Sequence, residues 1–125
     1  MDRPLSGRII LIIEDEPLIA LDIKDAFEDA GAIAIIARTL TAALVEVEEP
    51  SLSAAIVDHA LSDGDSSILC ERLTARNIPF VTYSGSSQLD AARSAGTHVN
   101  KPASASVLVA TVVGLLASRP ISNGP

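Results

Sequence analysis

Aromatic residues are almost missing from this chain, with no Trp, one Tyr and two Phe among 125 residues. A core must therefore be built from Ile, Leu, Val and Ala, and the 48% of hydrophobic residues suffice for one packed domain of this length. Disorder is expected only at the ends. Cysteine is limited to Cys70, which excludes an internal disulfide and fits a reducing, cytoplasmic setting. Lying among Ile68, Leu69 and Leu73, Cys70 reads as a small buried hydrophobe. Basic charge is scarce: nine Lys and Arg face sixteen Asp and Glu, for a net −7, and they form no run. Nucleic acid and anionic membrane surfaces both attract clustered cations, so neither is expected as a partner. No apolar stretch reaches the length of a membrane span, and residues 1–7 lack the apolar segment of a secretory signal.

What is present alternates. Residues 8–13 (RIILII) form a short β-branched run closed by Glu14, Asp15, Glu16 and Pro17, as expected of a strand buried on both faces. Pro17 suits the first turn of a helix. Ile19, Ile23, Ala26 and Ala30 follow at helical spacing beside Leu18 and Phe27, and Gly31 is a natural stop. Residues 32–36 read as a second strand. Thr39 or Thr41 can cap a helix reaching about Glu49, with Leu44, Val45 and Val47 to bury and Pro50 to end it. Residues 54–57 form a third strand finishing at Asp58. The turn-like 61–65 (LSDGD) leads to Ser66, a candidate cap for a helix up to Arg76. Strand four covers 79–83, a short helix 88–94, and strand five 97–100 before Lys101–Pro102. A last helix is capped by Ser104 or Ser106 and buries Val107, Leu108, Thr111, Val112, Leu115 and Leu116. Five strand–helix repeats predict an α/β domain with a parallel sheet and helices on both faces. The domain is expected over 7–118, after an N-terminal extension (1–6) and before a loose tail (119–125).

In a doubly wound sheet, ligands bind outside the carboxyl ends of the strands. Strand one ends in Glu14 and Asp15, strand three in Asp58, strand four in Ser84 and strand five in Lys101; strand two offers nothing obvious. Polar residues at strand ends are common, and acidic ones also favour a following helix N-terminus. Four such groups in chain order at one edge are harder to dismiss. Carboxylates about 4 Å apart repel by roughly 4 kcal/mol at an effective dielectric near 20. A divalent cation offsets this, and all-oxygen ligation selects Mg²⁺, Mn²⁺ or Ca²⁺. Lys101 adds a fixed positive charge suited to a phosphoryl group.

These pieces, Ile-Ile-Glu14-Asp15-Glu16-Pro17, Ile56-Val57-Asp58, Pro79-Phe80-Val81-Thr82-Tyr83-Ser84-Gly85 and Asn100-Lys101-Pro102, resemble the receiver domain of bacterial two-component response regulators over about residues 7–118. The wording of the first helix and of the Ile-Pro-Phe strand is similar to single-domain receivers of alphaproteobacteria. The resemblance implies a flavodoxin-like five-stranded parallel sheet of order 2-1-3-4-5. It further implies Asp58 as phosphoacceptor and Mg²⁺ held by Glu14, Asp15, Asp58 and the backbone carbonyl of Ala60. Ser84 would be the switch hydroxyl and Lys101 a contact to the phosphoryl group. The implied donor is a sensor histidine kinase, of the HWE or a related type, or a phosphotransfer protein. The response would pass through a surface to a downstream protein, or the chain would serve as a relay or sink; a homodimer stays open. The chain would be a signalling protein that catalyses only its own phosphorylation and dephosphorylation.

Departures from the pattern are His98 where an aromatic is usual, Ser62 where a proline is usual, and Ser86 after Ser84–Gly85 in place of a bulky residue. His98 and His59 also read as plain surface residues. Two alternatives follow. One is a pseudo-receiver that binds without being phosphorylated. The other is a Mg²⁺-dependent phosphatase of the haloacid-dehalogenase kind, which needs a second Asp two residues after the nucleophile, where this chain has Ala60. A Gly-rich dinucleotide loop is absent after the first strand.

Overall fold

The computed structural model describes residues 3–58, 66–84, 97–100 and 104–118, with the backbone alone described for 83, 84, 97–100 and 118. The elements are β1 (Ile9–Ile13), α1 (Pro17–Asp29), β2 (Ile33–Ala37), α2 (Leu40–Glu46), β3 (Leu52–Asp58), α3 (Ser67–Ala75), β4 (Phe80–Ser84), β5 (Thr97–Asn100) and α4 (Ala105–Ser118). All strand pairs are parallel, in the order β2-β1-β3-β4-β5. This is the doubly wound sheet expected from the alternation. The short helix expected over 88–94 lies outside the described residues.

The unbroken apolar runs follow from burial on both faces. Leu11, Ile13, Ala55 and Val57 pack with Leu40 and Ala43 of α2, Val47 just after it, and Leu69 and Leu73 of α3. The alternate residues Ile10, Ile12, Ala54 and Ile56 pack with Ile23, Phe27, Leu108 and Val112 from α1 and α4. Each layer holds one of the two phenylalanines, Phe80 in the first and Phe27 in the second. Cys70 is buried in the first layer and forms no disulfide.

Several local expectations shift. β2 starts one residue later than the sequence suggests, because Ala32 closes the end of α1 by donating to Phe27 O at 3.0 Å. β3 is longer, from Leu52, and β4 includes Ser84. On α1 the buried positions are Ala20, Ile23 and Phe27, while Leu18 and Ile19 face solvent. Val45 on α2 and Val107 on α4 are also exposed. Hydrophobic spacing had room for more than one face, and docking on the sheet selects one. Thr39 caps α2, accepting from Ala42 N at 3.0 Å, and Ser104 accepts from Val107 N at 3.3 Å. Ser66 makes no such cap bond; its backbone is already helical, so its hydroxyl is not turned onto the first free N–H groups.

Residues 3–6 are docked, since Leu5 is buried in the second layer and donates its N–H to Ala30 O at 2.8 Å. α2 ends at Glu46, short of Glu49, and carbonyls just past its end find a partner just past the end of α3. Arg76 Nη1 donates to Val47 O and, at 3.2 Å, to Glu49 O. Arg72 Nε pairs with Glu48 Oε2 at 2.6 Å on an exposed surface, holding the Glu48 carboxyl below the usual range through that hydrogen bond. The contribution of this pair is present above the unfolded carboxyl pKa and lost as pH falls through the lowered one. Arg76 satisfies half-buried backbone oxygens, whereas the Arg72 pair is open to water. Arg76→Ala is therefore expected to destabilise by about 1–2 kcal/mol. Arg72→Ala should cost less, and urea midpoints of the two variants check the order; equal midpoints would deny Arg76 its capping role.

Candidate functional site

β1 and β3 lie side by side, so their carboxyl ends open at the same edge, with Ile13 opposite Val57. Glu14 follows β1, and Asp58 is the last residue of β3. Both are 1% exposed, and Asp15 between them is half-buried. One carboxylate oxygen from each of Glu14, Asp15 and Asp58 lies within 4.8 Å of the others. Sequence reasoning put these three residues at one edge, and the structure brings their oxygens together.

The β1–α1 turn explains how they converge. Glu14 N donates to Ala37 O at 3.0 Å, which ties the start of the turn to the end of β2. Glu14 Oε2 then accepts from Glu16 N at 3.0 Å, which folds the turn back on itself. Glu16 occupies the N-cap of α1 with extended backbone and no side-chain cap bond, and Pro17 follows inside the helix. Glu14 thus satisfies the backbone N–H of the cap residue itself. The sequence offers only a weak signal for this, a Glu two residues before a Pro-started helix. The positive end of the α1 dipole also falls beside the acidic cluster.

On the other side, β4 aligns Tyr83 with Asp58, so Ser84 lies one step beyond Asp58 on the neighbouring strand, opposite Asn100 of β5. The backbone therefore places Ser84 at the same edge as the carboxylates. His98 pairs with Thr82 inside the sheet, one strand further out. Thr82, fully buried beside Val57, is a polar residue that sequence reasoning passed over as part of an apolar strand. Lys101, Ala60, His59, Ser62 and Ser86 lie outside the described residues.

Carboxylates this close repel by about 3 kcal/mol per pair at an effective dielectric near 20. The donor set is three hard oxygens from a rigid frame, two of them shielded from water. Such a set fits an oxygen-seeking divalent cation and does not suit a soft metal. The sequence had no means of giving the burial, and burial is what makes the cluster costly without a counter-charge.

Solved structures of receiver domains superpose on this chain. A response regulator receiver protein from Sinorhizobium medicae WSM419 does so with a TM-score of 0.84 at 22% identity, covering 93% of this chain and 99% of that one. A CheY-like receiver domain protein from Methanospirillum hungatei JF-1 gives 0.80 at 23% identity, over 90% and 95%. A two-component response regulator from Clostridium difficile gives 0.80 at 24%, over 90% and 98%. The fold of this chain is that of CheY-like receiver domains. No family model and no curated protein matches the sequence.

Proposed function

We propose that the chain is a receiver that takes a phosphoryl group onto Asp58 in a Mg²⁺-dependent reaction. The observation that carries this reading is the convergence of Glu14, Asp15 and Asp58 oxygens within 4.8 Å at the carboxyl edge of a receiver-type sheet. Glu14, Asp15 and Asp58 would hold the cation, joined by the carbonyl of Ala60. When bound, the cation neutralises charge on the transferring phosphoryl oxygens. An Asp58 carboxylate oxygen attacks the phosphorus of a phosphohistidine or of acetyl phosphate. A new O–P bond forms to Asp58, and the bond from phosphorus to the imidazole nitrogen or acetate oxygen breaks. Positioning and charge neutralisation carry most of such a step. The Ser84 hydroxyl then donates to a phosphoryl oxygen and Lys101 pairs with the same group, biasing the segments that follow β4 and β5. In this reading the chain signals, and its only catalysis is of its own phosphorylation and dephosphorylation.

Because Asp58 is 1% exposed, a donor has to press closely against the rim. Leu18, 77% exposed, and Leu21, 49% exposed, stand on α1 just past the acidic turn, with exposed Asp22 and Asp25 around them. A donor helix with an apolar ridge and basic flanks suits this surface, as a histidine kinase or phosphotransfer protein would supply.

Intact mass after incubation with acetyl phosphate tests the reading. One added phosphoryl group, present with Mg²⁺ and absent with EDTA, is expected. No added mass, and no spectral change with beryllofluoride and Mg²⁺, would sink it in favour of a module that binds without being phosphorylated.

A further inference from the structure

β2 contributes nothing to the acidic edge, yet its outer side has unusual chemistry for an exposed border. It is the outermost strand on its side, and no described strand pairs with its free edge. Natural edge strands carry Lys, Pro or a bulge that discourages pairing with another chain. β2 reads Ile33-Ala-Ile-Ile-Ala37, with no charge, no Pro and an unshifted register against β1. Ile33 is 56% exposed, and Ala34, Ile35 and Ile36 are only half-buried.

The backbone directions can be assigned. Ile33 N donates to Arg8 O on the β1 side, and Ala37 O accepts from Glu14 N on that same side. Successive residues of a strand point their N–H and C=O groups in opposite directions. Ala34 and Ile36 therefore present theirs to the free edge. We infer that a second copy of this chain pairs with β2 in antiparallel fashion about a two-fold axis at Ile35. In this register Ala34 of each copy faces Ile36 of the other as a hydrogen-bonded pair, and the two Ile35 residues meet as a non-hydrogen-bonded pair. Two five-stranded sheets join into one.

The charges at the two ends of β2 favour this occupant. Arg38, exposed, follows its carboxyl end; α1 closes with exposed Asp29 just before its amino end. Antiparallel pairing lays the amino end of one strand along the carboxyl end of the other, so each Arg38 approaches the partner's Asp29. A net −7 would oppose association elsewhere on the surface. Here an uncharged strand is bracketed by opposite charges, and the symmetry makes each end complementary to its counterpart.

The pairing uses neither the acidic cluster nor phosphorylation, so it stands or falls apart from the receiver reading. Sedimentation equilibrium of the full chain in EDTA should show a monomer–dimer equilibrium. Arg38→Glu alters both symmetry-related contacts and should weaken it about tenfold or more. Arg38→Glu with Asp29→Arg should restore it, and Ile33→Lys should abolish it. Amide exchange at Ala34 and Ile36 should slow as protein concentration rises. A monomer at all concentrations, or a dimer indifferent to Arg38→Glu and Ile33→Lys, would overturn the inference; so would exchange at Ala34 and Ile36 that does not depend on concentration.

Discussion

Asp58→Asn will leave the chain unlabelled by acetyl phosphate at any Mg²⁺ concentration, and it will shrink the rise in melting temperature that Mg²⁺ produces in the parent. The two side chains have nearly the same shape, and the site is 1% exposed at the end of a central strand. Packing should therefore survive the exchange. What is lost is chemical: an amide oxygen is no nucleophile toward phosphorus at neutral pH. What is lost electrostatically is one of three negative charges gathered within 4.8 Å. A cation that binds the folded state alone stabilises it by an amount that grows with the logarithm of its affinity. Tenfold weaker binding removes about 1.4 kcal/mol of that gain under saturating conditions. For a chain of this size that is a rise smaller by roughly 5 °C. Thermal melts with Mg²⁺ and with EDTA read the difference. A labelled variant would move the acceptor elsewhere, and an undiminished Mg²⁺ shift would separate Asp58 from the cation.

The largest purely structural effect is expected from Gly31→Ala. Gly31 follows the C-cap of α1 at φ +99°, a left-handed conformation that costs an L side chain roughly 1–2 kcal/mol. Its N–H donates to Glu28 O at 2.9 Å, and the next N–H, of Ala32, reaches Phe27 O at 3.0 Å, so two of the last helical carbonyls are satisfied through this turn. A Cβ here would lie 2.9 Å from Arg3 Cβ and 3.0 Å from both Ser6 N and Ser6 Cα. Two of these neighbours are backbone atoms of the segment that Leu5 anchors in the core, so they do not yield freely. Overpacking adds about 1–3 kcal/mol, and the sum is a loss of roughly 2–5 kcal/mol. Urea unfolding measures it. A loss of only about 1–2 kcal/mol would mean that residues 3–6 lift away at no cost, and a smaller one would deny the positive-φ strain as well. The same helix ending closes α3 with Asn77 at φ 59°, whose N–H donates to Thr74 O while Ile78 N reaches Leu73 O. Asn, whose short polar side chain tolerates the left-handed conformation, is accommodated there.

Much of this was legible in the chain itself. The runs 9–13 and 54–57, apolar at every position, could only be strands covered on both faces, and that requirement forces helices onto both sides of a parallel sheet. Pro17 and Gly31 bracket α1 because one lacks a donor that a first turn does not need and the other tolerates positive φ. Glu14, Asp15 and Asp58 fall where these strands end, so their nearness to one edge follows from the order of elements alone. The choice of buried face did not follow. α1 and α2 carry apolar residues around more than half of their circumference, and whether Ile19 or Ala20, Val45 or Val47, turns inward depends on how each helix meets the sheet. Neither the docking of Leu5 nor the reach of Arg76 to the end of α2 could be read locally, because each joins residues more than twenty positions apart. The site divides the same way. Sequence determined which groups stand at the edge; tertiary structure decided that Glu14 and Asp58 are buried, that Glu14 clasps the Glu16 amide, and that the carboxylates lie within 4.8 Å. Local chemistry is written residue by residue, whereas burial and distance arise only when strands far apart in the chain are brought side by side.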